Sequence, residues 1–325
     1  MRSNLRRWTK KLRAALPAFS PHDLPTSGNR SPNPAVSAIA SAPSPRTGPR
    51  TVTMDIGGKR FAMTSDDEYI GQHAHGFEPH LVDLFRALAA GSDVTLDIGA
   101  NIGCTALALA QLSRTVHAFE PSPTTFAFLE QNVARAGLTN IAVHNIALGD
   151  KAENSTLTFA PNNRSGGFVS NQTQASIGHT VEPIVIRPLD EIFDLSRSPP
   201  GIDLGTSKVD FIKIDVEGFE PAVLRGASRM LAAYQPTVLM ELNHWCLNAL
   251  QRTSVPDFFD FLRSLFPVLF AVDGLSTLDL HDTSDSYIVM YHHINRGRFV
   301  NIVAAFNRER LTTFLEKYRE PFVLD

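Results

Sequence analysis

A chain of 325 residues, 43% hydrophobic and 19% charged, can bury a core without a metal or disulfide staple. Its net charge of −3 argues against a nucleic-acid binder held by phosphate contacts, and no apolar run approaches the ~18–20 residues of a membrane span. The two cysteines, Cys104 and Cys246, sit in apolar surroundings and read as core, so a reducing, cytoplasmic compartment is expected.

That charge is an average of unlike parts. Residues 1–50 carry nine Arg and Lys against the single acid Asp23, which puts +8 on this tail and −11 on the remainder. At 100° per residue, Leu5, Trp8, Leu12, Ala15, Leu16 and Phe19 share one stripe, with the six basic residues from Arg2 to Arg13 off it. Such a basic amphipathic helix suits an anionic membrane surface or an acidic partner groove, so residues 1–20 are expected to make peripheral membrane or protein contact. Pro17–Pro49 is dense in Pro, Ser and Ala without periodicity, the composition of a disordered linker.

From Thr51 the pattern is globular. Val52–Met63 around Gly57-Gly58 reads as a hairpin, and Pro79 opens a helix with Leu81, Leu84, Phe85 and Leu88 on one face. Apolar runs at Val94–Ile98, Val116–Phe119, Ile141–Ala147, Phe211–Val216 and Val238–Leu242 read as strands. They alternate with helical stretches at Thr105–Leu112, Pro123–Ala136, Glu220–Ala233 and Pro256–Phe266. Strands without polar alternation are covered on both faces, and alternation with helices implies parallel crossovers. Val268–Val272 and Tyr287–Tyr291 read as a closing antiparallel pair, joined by the Asp273–Ser286 loop. Lys151–Pro200 reads as a polar insertion with a small hairpin at Thr156–Phe159. Arg308–Tyr318 reads as a charged helix with Leu311, Phe314 and Leu315 inward.

The sharpest signal is the run Asp97-Ile98-Gly99-Ala100-Asn101-Ile102-Gly103, directly after a strand and opening a helix. Gly99 permits the tight turn, Gly103 a close approach, and free N–H groups there favour polar ligand atoms. Glu120 ends the next strand, about twenty residues on, where an acid accepts hydrogen bonds from ribose hydroxyls. An adenosine-containing cofactor follows. Asn101 replaces the second glycine of a dinucleotide loop, and Asp97 puts a carboxylate where a pyrophosphate would come close. Both favour S-adenosylmethionine over NAD.

The runs DIGANIG, AFEPSP at Ala118–Pro123, NIALGD at Asn145–Asp150 and KIDVEGFE at Lys213–Glu220 resemble, in that order, the FkbM family of methyltransferases. GFEPHL at Gly76–Leu81 is similar to the segment preceding that family's glycine loop, and the resemblance covers roughly Phe77–Val272. It implies an α/β class I methyltransferase (Rossmann-like) fold: a seven-stranded sheet with helices on both faces, behind the disordered basic tail. By it, residues 51–295 are the methyltransferase domain and 296–325 a C-terminal helical appendage. It also implies S-adenosylmethionine as donor, with Asp97, Gly99, Asn101 and Gly103 around the methionine end and Glu120 on the ribose. Asn145 and Ala147 fall where this fold cradles adenine.

The acceptor side is read from strand ends, outside which ligands bind in open α/β sheets. Asp215 and Glu217 share one side there if the strand persists, and Glu241 and His244 occupy the matching end of the next strand. Methyl transfer to a hydroxyl needs an oriented acceptor and a group to take its proton, which Asp215, Glu241 or His244 could do. Glu217 is equally a cap for the helix near Phe219, and Lys213 a partner for a nearby acid. No carboxylate cluster demands a metal, and His73-x-His75 and His292-His293 lack zinc spacing. The expected activity is O-methylation of a hydroxyl on a carbohydrate or secondary metabolite, with a small-molecule or glycan acceptor and no nucleic acid. An NAD-dependent oxidoreductase and a non-catalytic cofactor-binding scaffold are the competing readings.

Overall fold

The computed structural model describes residues 48–160, 163–170, 179–193, 202, 204 and 207–323. The amphipathic segment and nearly all of the linker within residues 1–50 lie outside the described residues.

The expected hairpin comes first. Strands β1 (Arg50–Ile56) and β2 (Lys59–Ser65) pair across their whole length around Gly57 and Gly58, both at positive φ as a two-residue type I′ loop requires. Helix α1 (Tyr69–Gln72) and helix α2 (Pro79–Leu88) follow, with Val82, Leu84 and Phe85 of α2 buried.

Strands and helices then alternate as the periodicity predicts: β3 (Ser92–Ile98), α3 (Cys104–Leu109), β4 (Ser113–Phe119), α4 (Pro123–Ala136) and β5 (Ile141–His144). Ser122 caps α4 by accepting from Thr125 N at 3.1 Å, with Pro123 in the first turn. The stretch expected to be an irregular insertion supplies β6 (Ala147–Leu148), β7 (Glu153–Phe159), β8 (Thr180–Arg187) and the short α5 (Leu189–Ile192). β6, β8 and β7 form a separate three-stranded sheet in that order. Glu182 on its inward face accepts from Ser122 Oγ at 2.6 Å, tying this sheet to the start of α4.

Next come β9 (Val209–Ile214), α6 (Glu220–Arg225), α7 (Ser228–Tyr234), β10 (Thr237–Glu241), α8 (His244–Gln251) and α9 (Val255–Leu265). The chain ends with β11 (Val268–Asp273), β12 (Ser276–Asp279), α10 (Thr283–Arg296), β13 (Asn301–Ala305) and α11 (Thr312–Lys317). The main sheet runs β12-β11-β13-β10-β9-β3-β4-β5, with β13 antiparallel to both neighbours. Both faces are covered. Ile212, Val238 and Met240 pack into one apolar layer with α6–α9, while Phe211, Leu239 and Val303 pack into another with α2 and α3. This is the α/β class I methyltransferase architecture.

Three expectations need correction. The sheet has eight strands rather than seven, because the Asp273-Gly274 turn folds β12 back onto β11 inside the stretch read as a loop. Tyr287–Tyr291 is helix, not strand: Asp282 accepts from Ser284 N and Asp285 N to start α10, and Gly297 ends it in the left-handed conformation. A five-residue apolar run fits either element, and the caps decide. The partner of β11 is instead β13, so residues 296–325 are not a purely helical appendage but contribute an internal strand of the sheet. Leu311 and Phe314 beyond it are buried as expected. Among the described residues, no helix is long and apolar enough to cross a membrane.

Candidate active site

The strand order reverses between β3 and β9, where an open α/β sheet leaves a crevice at its carboxyl ends. A cavity of about 360 Å³ opens there. Gly99 turns the chain at the end of β3 with φ 80°, and its N–H and that of Ala100 donate to Phe119 O, each at 3.0 Å. A Cβ on Gly99 would stand 1.9 Å from Asp215 O, so the loop tolerates no side chain at this position. Asn101 follows with φ 50°, lining the cavity, and its buried Oδ1 has no hydrogen-bond partner.

Glu120 closes one wall. Its Oε2 accepts from Asn101 N at 3.0 Å and its Oε1 from Ser122 N at 2.9 Å, so two backbone N–H groups fix the carboxyl against the glycine loop. Burial nevertheless pushes its pKa up to about 7. Ile146, Ala147 and Leu148 continue the wall as an apolar strip. Asn145 does not line the cavity. Its Nδ2 donates to Glu120 O and Pro121 O at 2.9 and 3.0 Å, which makes it a brace for the turn that carries Glu120.

Asp97 is wholly buried beneath the loop rather than facing the cavity. Thr105 Oγ1 donates to it at 2.6 Å, and Lys213 Nζ lies 3.4 Å away. Lys213 also donates to Gly99 O at 2.8 Å and approaches Asp215 at 3.5 Å. Burial raises the Asp97 pKa, and Lys213 opposes that rise. Lys213 offsets the Asp97 carboxylate, so the side chain of Asn101, not charge, is what disfavours a pyrophosphate here. Gly103 is also off the cavity. A Cβ there would meet Leu129 Cδ1 at 2.9 Å, so this glycine serves packing of α3 on α4.

Asp215, Glu217 and Glu241 also line the cavity. β9 stops at Ile214, so period-2 alternation does not extend to Glu217, which lies at φ 52°. Glu217 does not cap α6. Its Oε2 accepts from Asn243 Nδ2 and Cys246 Sγ, both at 3.0 Å, while Glu220 binds Val216 N and Gly218 N and orders the turn. Burial first, then the negative charges of Asp215, Glu217 and Glu220, drive the Glu241 carboxyl far above the usual carboxylate range. His244 is set apart from the cavity: it begins α8, and its ring packs edge-on against His293 with centroids 4.9 Å apart.

Glu78, Tyr69 and Arg164 also line the cavity and were not marked by the sequence as site residues. Glu78 sits inside the GFEPHL run, the one available signal. Arg164 lies in a polar stretch with no periodicity and reaches the site because its guanidinium is pinned to both oxygens of Asp66, at 2.6 and 2.8 Å.

Residues 97–269 match the family model for the methyltransferase FkbM domain, more than half of the chain. The chain belongs to the FkbM methyltransferase family. Among relatives of this FkbM-family chain, the hexuronic acid methyltransferase AglP of Haloferax volcanii is 30% identical over 53% of the chain and 65% of its own length. The 31-O-demethyl-FK506 methyltransferase FkbM of Streptomyces tacrolimicus is 30% identical over 41% of the chain and 59% of its own. The chain thus spans less than two thirds of the length of these curated relatives. A crystal structure of methyltransferase FkbM from Methylobacillus flagellatus KT is 22% identical over 54% of this chain and 38% of its own, with a TM-score of 0.37.

Proposed function

We propose that this protein transfers a methyl group from S-adenosylmethionine to a hydroxyl of a carbohydrate or secondary metabolite. The observation that carries the reading is one cavity lined together by Gly99, Asn101, Glu120, Asp215 and Glu241. Its volume lies within the ~300–1,000 Å³ range of small-molecule sites. The residues fit the donor. Each Glu120 oxygen keeps a lone pair for a ribose hydroxyl, Asn101 Oδ1 is a buried acceptor awaiting a donor, and the Ile146–Leu148 strip suits an adenine face. Ala147 falls on that strip. Asn101 also places a side chain where a dinucleotide loop needs bare backbone, which favours this donor over NAD.

When bound, S-adenosylmethionine supplies a methyl group on a sulfonium for in-line transfer to the acceptor oxygen. This chain's part is orientation and proton management. Asp215 is held at the cavity edge by Lys213, while burial, followed by the charge of Asp215, raises the Glu241 pKa. That leaves Asp215 as the group that takes the acceptor's hydroxyl proton. His244, off the cavity, has no part in this scheme. The name of the Streptomyces relative specifies methylation on oxygen, which supports a hydroxyl acceptor, and that of the Haloferax relative a sugar derivative, which supports only the broad carbohydrate class. Titration calorimetry with S-adenosylhomocysteine and with NADH tests the reading. Binding of the first is expected; NADH binding alone would overturn it.

A further inference from the structure

Beyond Glu120, the cavity lining has a charge pattern that donor binding leaves unexplained. Glu78, Asp215, Glu217 and Glu241 all face it. Among the described residues the permanent cations lining the cavity are Lys213 and Arg164, and both are committed elsewhere. Lys213 Nζ is shared among Asp97, Asp215 and Gly99 O, and Arg164 is forked onto Asp66. His73 is the other basic group lining the cavity, and burial lowers its pKa.

Asn243 and Cys246 hold Glu217, and Lys213 holds Asp215, which leaves Glu78 and Glu241 to meet a ligand. Glu241 Oε2 is buried with no hydrogen-bond partner. Glu78 stands at φ 23°, a backbone state that non-glycine residues rarely adopt, and its side chain makes no capping bond to the helix it precedes. Burial, followed by the charge of Asp215, raises the Glu78 pKa, and Glu217 is raised by burial as well. The donor carries a sulfonium and an ammonium against one carboxylate, so it answers a single excess negative charge and leaves the rest for the acceptor.

Resting on the methyltransferase reading, we infer that the acceptor is a polyol bearing no anionic group near the methylated hydroxyl, a neutral or amino sugar rather than a uronic acid or sugar phosphate, recognised by Glu78 and Glu241. Carboxyl groups accept hydrogen bonds from hydroxyl donors and stronger, charge-assisted ones from ammonium donors. A ligand carboxylate would meet like charge in a partly desolvated site, which rejects wrong partners.

The experiment supplies the full-length protein and a radiolabelled methyl donor to extract of the cells that make it. Labelled products are hydrolysed to monomers, separated by charge and identified by mass spectrometry. Label in a neutral or amino monomer is expected. On that acceptor and its carboxylate-bearing analogue, kcat/KM should differ by at least about tenfold, with Glu78→Gln narrowing the gap. A labelled monomer carrying carboxylate, phosphate or sulfate overturns the inference. So does an equal rate on the two analogues, or the absence of any label while S-adenosylhomocysteine still binds. Failure to bind S-adenosylhomocysteine at all would instead bring down the methyltransferase reading beneath it.

Discussion

Lys213 Nζ lies 3.4 Å from Asp97 Oδ1, beneath the loop that Gly99 turns, and both side chains are almost completely shielded from solvent. The pair joins adjacent strands β3 and β9, whose register sets Asp97 opposite Lys213. Lys213 simultaneously holds Gly99 O and Asp215, so one ammonium links the glycine loop to the acceptor side of the cavity.

Removing that ammonium strands a buried carboxylate. Lys213→Met should lower unfolding free energy by about 3–5 kcal/mol, the cost of breaking a buried pair by deleting one partner. Adding Asp97→Asn should recover part of the loss, since the two residues act on each other and their effects are not additive. Chemical denaturation of the three variants checks this; strictly additive losses would show that the pair is not coupled.

Glu120 gives a pH dependence with a definite sign. Its pKa in the folded protein is raised to about 7, so the carboxylate proposed to accept from ribose hydroxyls is fully formed only above that value. S-adenosylhomocysteine affinity is therefore expected to drop about tenfold from pH 8 to pH 6. Glu120→Gln should bind more weakly at pH 8, by roughly 1.5–3 kcal/mol, and flatten this part of the profile. Calorimetry across the pH range reads both, and an unchanged slope in the variant would assign the dependence to another group.

Gly99→Ala places a methyl 1.9 Å from Asp215 O at a residue with φ 80°. Overpacking of about 1–3 kcal/mol adds to the left-handed backbone penalty of roughly 1–2 kcal/mol. A lowered melting temperature is expected together with loss of S-adenosylhomocysteine binding. A variant of wild-type stability and affinity would mean the loop is not packed on Asp215 as described.

Asp215→Asn tests proton removal. Binding of S-adenosylhomocysteine should stay near the wild-type level while turnover of the labelled acceptor falls by roughly 10²–10⁴, the usual contribution of a general base. His244→Ala, altering a side chain off the cavity, should leave turnover within a few-fold. The reverse pattern would move the catalytic base to His244.

What could be read from the sequence was what short stretches determine. The helix α4 boundaries follow from Pro123 at its start and Gly137 after its end, and the glycine loop with Glu120 one strand later follows from local spacing. Local sequence is ambiguous where two conformations suit the same few residues. Tyr287–Tyr291 is apolar enough for a strand, and only its caps and its packing make it helix. The Asp273-Gly274 turn is a hairpin signal too short to stand out from the polar stretch around it, and it carries the eighth strand.

The sequence by itself determined the alternating α/β chain, the loop around Gly99 and the acid at Glu120, because periodicity and turn chemistry act over a few residues. Tertiary structure alone decided which charges meet. Asp97 is neutralised by a lysine more than a hundred residues away, Asn145 and Gly103 are turned to bracing and packing, and His244 is excluded from the cavity. Glu78 and Arg164 enter it from segments with no periodic signal. Electrostatic pairing depends on distance through space and on burial, and neither quantity exists until the sheet has assembled.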